Sequence, residues 1–231
     1  MYLHVGTSGF AYRGWKGSFY PQGIAERDLL GWYARQFDAV EINNTFYRFP
    51  TVAGLATWAS QVPEKFQFSI KVPQLITHVK RMHNVEEDLD YLIETVAPLG
   101  PRLGPLLFQL PPRLVRDMAS LEDLIAQLPP GLQVAFEFRH PSWFCEDVYR
   151  LLGTNGHALC FNDQTMAALH ATADWGYLRL RRHDYSEATL TAAVNQVLSQ
   201  DWKAAWVFFR HESTGAPRLA HQWREIASSN S

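Results

Sequence analysis

Short apolar runs alternate along the chain with segments of helical period. Eight runs dominated by apolar residues lie at 2–7, 39–43, 66–72, 105–110, 133–139, 157–163, 175–181 and 204–210. Between them, apolar residues recur three to four positions apart, which predicts helices at 26–37, 52–62, 86–97, 120–128, 146–154, 187–198 and 216–227. This alternation predicts a parallel sheet whose strands are connected by helices.

The number of strands bears on the architecture. Eight strands are what a (β/α)8 TIM-type barrel needs to close its parallel sheet, although 231 residues is near the short end for that fold. We predict this barrel, with an open doubly wound sheet as the alternative. No linker rich in Gly or Ser divides the chain, so we expect a single domain over residues 1–231.

Polar and apolar side chains fall on opposite faces of the predicted strands. In the second run, Val40 and Ile42 share one face, and Glu41 and Asn43 share the other. The same alternation places further polar residues on one face of other strands: Lys71, Gln109, Glu137, Arg139, Arg179 and Arg181. Strands buried on both faces usually read as continuous apolar runs. We therefore expect the apolar faces to lie under the helices and the polar faces to point into the interior.

The charged members of the polar faces lie toward the carboxyl ends of the strands, where barrel enzymes build their sites. The cations are Lys71, Arg139, Arg179 and Arg181, and the carboxylates are Glu41, Glu137 and Asp163. Strict alternation favours Asn162 over Asp163 as the inward residue of the sixth strand. Because an unpaired buried charge is costly, the surplus of cations predicts a pocket for an anionic ligand.

Two sets of residues are candidates for roles in this pocket. The set that would transfer protons or react consists of Glu41, Glu137, Lys71 and Asp163. The set that would bind the ligand consists of Asn43, Tyr47, Gln109, Arg139, Arg179, Arg181, Trp15 and Trp143. Arginine forks suit a phosphate or carboxylate, and aromatic rings suit a base or sugar. Beside two carboxylates we expect the pKa of Lys71 to stay high, which disfavours Schiff-base chemistry.

Two other interpretations of the charged residues stay open. The charges could form an internal network of ion pairs that binds nothing. Carboxylate and amide oxygens also suit Mg²⁺ or Mn²⁺. The chain lacks H-x-H and H-E-x-x-H spacings, and Lys71 and Arg139 would repel a cation. We therefore assign no metal site, and a divalent metal is the less favoured cofactor alternative.

Composition limits the class of protein and its partners. Hydrophobic residues make up 47% of the chain, which suffices for a sizeable core. The net charge of −2 provides no general attraction for nucleic acid, so a nucleic-acid partner is possible but unsupported. Cys145 and Cys160 lack a C-x-x-C spacing and are expected to be free thiols. No apolar run is long enough to span a bilayer, so we expect a soluble, cytoplasmic protein with no membrane partner.

Five ordered motifs carry a resemblance to a known family. GTSGFAYRGWKGSFYP, VEINNTFYRFP, FSIKVPQLITH, GPLLFQLPP and VAFEFRHPSW stand at residues 6–21, 40–50, 68–78, 104–112 and 134–143. In this order they resemble the YecE-like family, domain of unknown function 72, densely over about the first two thirds of the chain. The resemblance implies a TIM-type barrel and no particular activity.

The last third of the chain departs from the pattern of that family. YLRLRRHDYSE stands where a Y-x-R-x-H-G-like segment is expected, and VFFRHESTGAP stands where an F-N-N-like strand end is expected. Arg179 matches the family pattern, whereas Arg181, Arg182, Arg210 and His211 are particular to this chain.

The sequence supports two classes of function. The first is an enzyme acting on an anionic ligand, such as a phosphorylated sugar, a nucleotide or a nucleic-acid derivative, by acid–base or metal-assisted chemistry. Hydrolysis, lyase chemistry and isomerisation are all open. The second is a non-catalytic protein that binds a metabolite or nucleic acid in the same pocket.

Overall fold

A computed structural model of the chain describes residues 1–166, 168–210 and 215–230, so His211 lies outside the described residues. Its strands are β1 (Tyr2–Thr7), β2 (Ala39–Ile42), β3 (Gln67–Lys71), β4 (Leu103–Gln109), β5 (Val134–Glu137), β6 (Ala158–Leu159), β7 (Phe161–Asn162), β8 (Trp175–Leu180) and β9 (Ala204–Phe209). Its α-helices are α1 (Leu29–Gln36), α2 (Val52–Ala59), α3 (Glu86–Val96), α4 (Met118–Ala126), α5 (Glu146–Thr154), α6 (Glu187–Leu198) and α7 (Ala216–Ser229).

Short helical turns complete the connections between strands and helices. They lie at Arg13–Trp15, Glu26–Asp28, Asn44–Phe46, Leu75–Val79, Ala97–Arg102 and Pro141–Trp143. Every predicted apolar run overlaps a strand and every predicted helical segment overlaps a helix. Among the described helices, none combines the length and the apolar character needed to cross a bilayer.

The strands form two parallel sheets. One sheet has five strands in the order β2–β3–β4–β5–β6, and the other has four in the order β1–β9–β8–β7. The prediction of one closed eight-stranded barrel is therefore wrong. In the described residues, no ladder of hydrogen bonds joins β1 to β2 or β6 to β7.

Side chains occupy the edge of β1 that lies toward β2. The Val5 N–H donates to Oδ1 of Asp38 at 3.1 Å, and the Thr7 N–H donates to the Tyr33 hydroxyl at 2.8 Å. That hydroxyl donates to the carbonyl oxygen of Ala39 at 3.1 Å. Because these side chains take the backbone groups that a ladder would use, β1 and β2 lie side by side without pairing.

The other boundary between the sheets falls within the predicted strand at 157–163. Its first half pairs with β5 and its second half pairs with β8. The change of neighbour occurs at Cys160, whose N–H donates to the carbonyl oxygen of Phe136 at 2.9 Å. One extended segment thus gives two residues to each sheet, which is why eight predicted runs become nine strands. Cys145 and Cys160 are both free thiols, as predicted.

The predicted separation of polar and apolar faces is confirmed. The core under the helices includes Val40, Ile42, Phe68 and Ile70. The opposite faces of the strands contribute a second buried apolar cluster, which includes Ala39, Leu107, Ala135, Tyr177 and Phe208. On these same faces, the positions nearer the carboxyl ends of the strands are polar or charged. Their side chains form the candidate site.

Candidate functional site

A buried cluster of ion pairs joins the two sheets. Arg179 of β8 donates from Nε to Oε2 of Glu41 and from Nη2 to Oε1 of Glu41, both at 2.9 Å. Nη1 of Arg179 donates to Oε2 of Glu137. Arg181 donates from Nη2 to Oε1 of Glu41 at 2.7 Å. Glu41 of β2 is therefore held by two guanidinium groups from the other sheet.

Neutral donors complete the shells around both carboxylates. They are Asn43 and Tyr177 at Glu41, and Gln109 and Asn162 at Glu137, with distances of 2.8 to 2.9 Å. Arg139 adds a contact from Nε to Oε1 of Glu137 at 3.3 Å. Each carboxylate oxygen accepts at least two hydrogen bonds, so both carboxylates are saturated with donors, whereas the buried Nε of Arg181 has no partner among the described residues.

The charges around the two carboxylates determine their protonation. Burial alone would raise the pKa of Glu41, but the charges on Arg179 and Arg181 hold that pKa well below its usual range. Burial also opposes ionisation of Glu137, but Arg179 and Arg139 lower its pKa to about 2. Both groups are thus ionised at neutral pH, and their lone pairs are occupied. This arrangement suits the positioning of arginines better than the transfer of protons.

An open cavity of about 510 Å³ lies at the carboxyl ends of the strands, next to the ion cluster. Its cationic lining residues are Lys71, Arg139, Arg179, Arg181 and Arg210. Its amide lining residues are Asn43, Asn44, Gln109, Asn162 and Gln164, with Tyr47 at the edge. None of the described carboxylates is part of this lining, because Glu41 and Glu137 are fully buried beneath it.

Lys71 differs from the expectation drawn from the sequence. Its Nζ lies 3.8 Å from the centroid of the Phe46 ring, and the residue is 8% exposed. Burial and then the charge of Arg179 lower the pKa of Lys71 to about 8, although Glu41 and Glu137 act in the opposite direction. The expectation of a high pKa is wrong, because both carboxylates are already neutralised by arginines.

His78, next to the site, adds no cation at neutral pH. Burial lowers the pKa of His78 to about 4, and the charges of Lys71 and Arg139 add to this effect. Nδ1 of His140 lies 2.8 Å from the hydroxyl of Ser142, in the turn after β5. Within the described ranges, no three side chains of His, Cys, Asp or Glu come together as a set of metal ligands.

The structure brings most of the predicted site residues together. Those that line the cavity are Asn43, Tyr47, Lys71, Gln109, Arg139, Arg179 and Arg181, and those directly beneath it are Glu41 and Glu137. Asp163 is placed apart from the lining, as alternation along β7 predicts. Its carboxylate accepts from the backbone N–H of Arg181 at 2.8 Å and from the Tyr185 hydroxyl. Asp163 thus holds the end of β8 in position.

The two predicted tryptophan ligands lie in the apolar core instead. Trp15 is fully buried and packs edge-on against Phe19, with ring centroids 5.7 Å apart. Trp143 is fully buried and stacks on Phe138 at 4.7 Å. Its Nε1 donates to the carbonyl oxygen of Leu114 at 2.8 Å. Neither indole reaches the cavity. A large ring that follows a strand can pack in the core as readily as it can line a site, and both of these rings pack in the core.

Several residues of the site are not among those predicted from the sequence. Asn44, Gln164 and Arg210 line the cavity. Ser8 accepts from Nη1 of Arg181 at 2.7 Å. The position of Arg210 in the sequence could have predicted its place in the lining. Arg210 directly follows β9, and Arg181 directly follows the neighbouring strand β8 at the same end of the sheet. Asn44 begins a helical turn, and Gln164 and Ser8 lie in loops, so strand alternation does not predict the direction of these side chains.

A smaller, mostly apolar recess adjoins the cavity. It has a volume of about 220 Å³ and shares Asn43 and Asn44 with the cavity lining. Phe10, Tyr12 and Trp58 contribute its aromatic surface. The site as a whole therefore combines a cationic part with an aromatic part.

The chain matches one protein-family model and is similar in sequence to curated proteins. The family model described as "Protein of unknown function DUF72" matches residues 4–231. The UPF0759 protein YecE of Escherichia coli K12 is 30% identical over 115 residues, which cover 49% of this chain and 42% of YecE. The UPF0759 protein YunF of Bacillus subtilis is 29% identical over 156 residues, which cover 64% of this chain and 54% of YunF. The chain thus spans about half the length of the curated relatives it matches.

A solved structure resembles the whole chain. The crystal structure of a DUF72 family protein from Thermotoga maritima superposes with a TM-score of 0.87 at 29% sequence identity. The superposition covers 99% of this chain and 100% of the Thermotoga chain. The arrangement of strands and helices described above is therefore similar to that of this relative.

Proposed function

Because the chain belongs to the family of proteins of unknown function DUF72, its activity has to be inferred from its own site, and we propose an enzyme that acts on a small anionic molecule. The observation that carries this proposal is the charge of the cavity wall. Five cationic side chains line the cavity, and no described carboxylate does. Concentrated positive charge in a partly buried site is costly, and an anionic ligand would offset that cost.

The cations differ in what they can offer to a ligand. Arg179 uses Nε, Nη1 and Nη2 to bond the two buried glutamates, so it serves mainly as the floor of the cavity. Arg139 contributes only Nε to Glu137, and its side chain is 36% exposed. Its terminal nitrogens are therefore available for a phosphate or carboxylate. Arg139 is the residue that we assign to anion binding.

The shape of the site supports a ligand with two parts. The anionic group would lie against the cationic wall, and the remainder would extend past Asn43 and Asn44. There, Phe10 and Trp58 offer an apolar surface that suits a ring. A phosphorylated sugar or a nucleotide has this combination of features.

One observation favours a second candidate function, a non-catalytic binding protein. Glu41 and Glu137 bond to the arginine that forms the floor of the cavity, yet both are fully buried and their pKa values are lowered by arginines. Neither is suited to act as a general acid at neutral pH. A binding protein would use the same cationic wall without turnover, so a search for product formation separates the two functions.

Thermal unfolding in the presence of anions tests the proposal. The panel consists of inorganic phosphate, pyrophosphate, sugar phosphates, nucleotides and short oligonucleotides, each with and without Mg²⁺ or Mn²⁺. A ligand at one hundred times its Kd stabilises the folded state by about 2.7 kcal/mol. Replacement of Arg139 by Gln removes a charged donor and is expected to weaken binding about tenfold.

Arg150→Gln is the matched control. Arg150 is also an arginine paired with a carboxylate, at 2.6 Å from Asp147, but it lies on the exposed surface of α5. Its replacement should leave ligand binding unchanged. The proposal fails if no anion in the panel stabilises the protein, or if Arg139→Gln and Arg150→Gln bind the ligand equally well.

A further inference from the structure

We propose that Lys71 is a carbonyl-reactive amine, and that the cavity takes small aldehydes or ketones that carry a phosphate or carboxylate group. This inference rests on the proposed function and adds the class of substrate and the reacting atom. Lys71 lies at the carboxyl end of β3, and its side chain is part of the cavity lining. The ligand's anionic group and Nζ of Lys71 would therefore occupy the same space.

The contacts of Nζ set Lys71 apart from Lys80 and Lys203. Lys80 and Lys203 each place Nζ 2.6 Å from a carboxylate oxygen. For Lys71, no ion pair or hydrogen bond of Nζ is found in the part of the chain that the structure describes, and its close neighbour is the ring of Phe46 at 3.8 Å. No described acceptor therefore holds this nitrogen in its protonated form by direct contact.

The surroundings of Lys71 favour the neutral amine that carbonyl chemistry requires. The nearby carboxylates Glu41 and Glu137 are bonded to Arg179, and the guanidinium groups of Arg179 and Arg139 face the same cavity. Burial and these cations lower the pKa of Lys71 to about 8. At pH 7.5 roughly a quarter of such an amine is neutral, compared with about a thousandth for an ordinary lysine.

The chemical step is a condensation. Neutral Nζ adds to the carbonyl carbon, a C–N bond forms, and the electron pair of the C=O π bond moves to oxygen, which takes up a proton. The resulting carbinolamine loses its oxygen as water and leaves a protonated imine. No oxidant or reductant is needed, and hydrolysis reverses the step. The protonated imine withdraws electrons from the adjacent carbon, which is the basis of lyase and isomerase chemistry.

The positive charge around Lys71 explains why the substrate should be anionic. A protonated imine keeps a cation at a position already close to Arg139 and Arg179. A phosphate or carboxylate on the same molecule supplies the opposite charge and raises the local concentration of the carbonyl group. A lysine that served only to bind anions would gain from a carboxylate in direct contact that kept it protonated, and no described carboxylate forms an ion pair with Nζ of Lys71.

Reductive trapping tests the inference with two matched probes. The protein is incubated with pyridoxal 5′-phosphate, an anionic aldehyde, or with pyridoxal, which lacks the phosphate, and is then reduced with borohydride. Peptide mapping by mass spectrometry locates the label. We expect pyridoxal 5′-phosphate to label Lys71 before the other lysines, pyridoxal to label it at least about tenfold more slowly, and inorganic phosphate to slow the reaction.

Variants separate the reacting amine from its surroundings. Lys71→Met and Lys71→Arg are both expected to abolish the label, because neither side chain offers an amine that condenses with the aldehyde. Lys203→Met is the control, because Lys203 is an exposed lysine outside the cavity.

Each alternative outcome has a distinct meaning. Label spread over surface lysines, with a thermal response to phosphate that depends on Arg139, overturns the role of Lys71 and leaves the proposed anion site standing. Equal labelling of Lys71 by both probes overturns the anionic class of substrate. The absence of both a phosphate response and a Lys71 label overturns this inference and the proposed function together.

Discussion

Arg179 and Glu41 form a two-pronged ion pair between the two sheets. Nε and Nη2 of Arg179 each lie 2.9 Å from one oxygen of Glu41, although the residues are 138 positions apart in the sequence. The side chains are 6% and 0% exposed. Because this geometry fixes both the distance and the plane of the two groups, the pair sets how the floor of the cavity is assembled.

Removal of Arg179 is expected to destabilise the fold strongly. Arg179→Met leaves two buried carboxylates without their main cation, and we expect a loss of about 3 to 5 kcal/mol in the free energy of unfolding. Urea denaturation measures this loss. The double variant with Glu41→Gln should recover part of it, since one of the stranded charges is then absent. A loss below about 1 kcal/mol for the single variant would contradict a buried pair of this kind.

Tyr177 is expected to stabilise the cluster without contributing to ligand binding. Its hydroxyl donates to Oε2 of Glu41 at 2.8 Å and lies 2.7 Å from the hydroxyl of Ser69. Tyr177→Phe should therefore cost about 1 to 2 kcal/mol of stability, with unchanged affinity for anions. Tyr2→Phe is the control, because Tyr2 is 80% exposed. A change in affinity as large as that of Arg139→Gln would place Tyr177 in the binding site instead.

Stability should fall in acid because of Glu137. Its pKa is lowered from 4.5 to about 2 in the folded protein, against the effect of burial, by Arg179 and Arg139. Between these values the unfolded chain binds more protons, so stability rises with pH and is lost as pH falls from about 4.5 to about 2. The shift corresponds to roughly 3 kcal/mol.

Denaturant unfolding of Glu137→Gln between pH 2 and pH 6 checks this contribution. The variant should be less stable than the native protein at neutral pH, and its stability should fall less steeply in acid. Glu122→Gln, at an exposed position of α4, is the matched control. Parallel pH profiles for the native protein and Glu137→Gln would contradict the assignment.

Lys71 should titrate well below an ordinary lysine. After reductive ¹³C-methylation, its NMR signal should move with a midpoint near the pKa of about 8 that burial and Arg179 impose. The signal of Lys203 should titrate above the usual range, because Asp174 raises its pKa. Lys71→Met identifies the signal by its loss, and bound phosphate should raise the midpoint. A midpoint above 10 would show that the cavity does not disfavour the ammonium.

Gly6 is expected to be required by the close approach of β1 and β2. A Cβ atom at this position would lie 2.0 Å from the carbonyl oxygen of Ala39 and 2.7 Å from the hydroxyl of Tyr33. Gly6→Ala should therefore cost more than about 2 kcal/mol, because backbone atoms must move. Gly23→Ala, where nothing lies within 4 Å, should be close to neutral. Equal melting temperatures for the two variants would contradict this close approach.

Strand alternation was the most informative property of the sequence. It separated Glu41 from Val40 and Ile42, and it favoured Asn162 over Asp163 as the inward residue of the sixth strand. The structure places Asn162 against Glu137 and Asp163 against Tyr185. These predictions hold because the direction of a side chain in a strand depends only on its position along that strand.

The sequence alone does not predict which strand edges pair or how the pKa values of buried groups are shifted. The number of strands suggested closure of the sheet, but closure depends on which backbone groups remain unoccupied, and Tyr33 and Asp38 occupy those of β1. The pKa of Lys71 depends on which cation pairs with which carboxylate in space. Trp15 follows a strand in the sequence, and only packing determines that its ring enters the core. All three outcomes depend on contacts between residues that are far apart in the sequence, so local sequence patterns do not predict them.

The change of neighbour at Cys160 has a consequence for synthesis of the protein. A nascent chain that ends at residue 160 contains every strand of the five-stranded sheet. It therefore contains Glu41, which lies in β2. It contains neither Arg179 nor Arg181, the two guanidinium groups that neutralise this carboxylate. Burial of this carboxylate without its cations would cost several kcal/mol, so its face of the sheet stays open to solvent in the fragment. The first 160 residues are therefore expected to remain labile on the ribosome until β8 has emerged and docked.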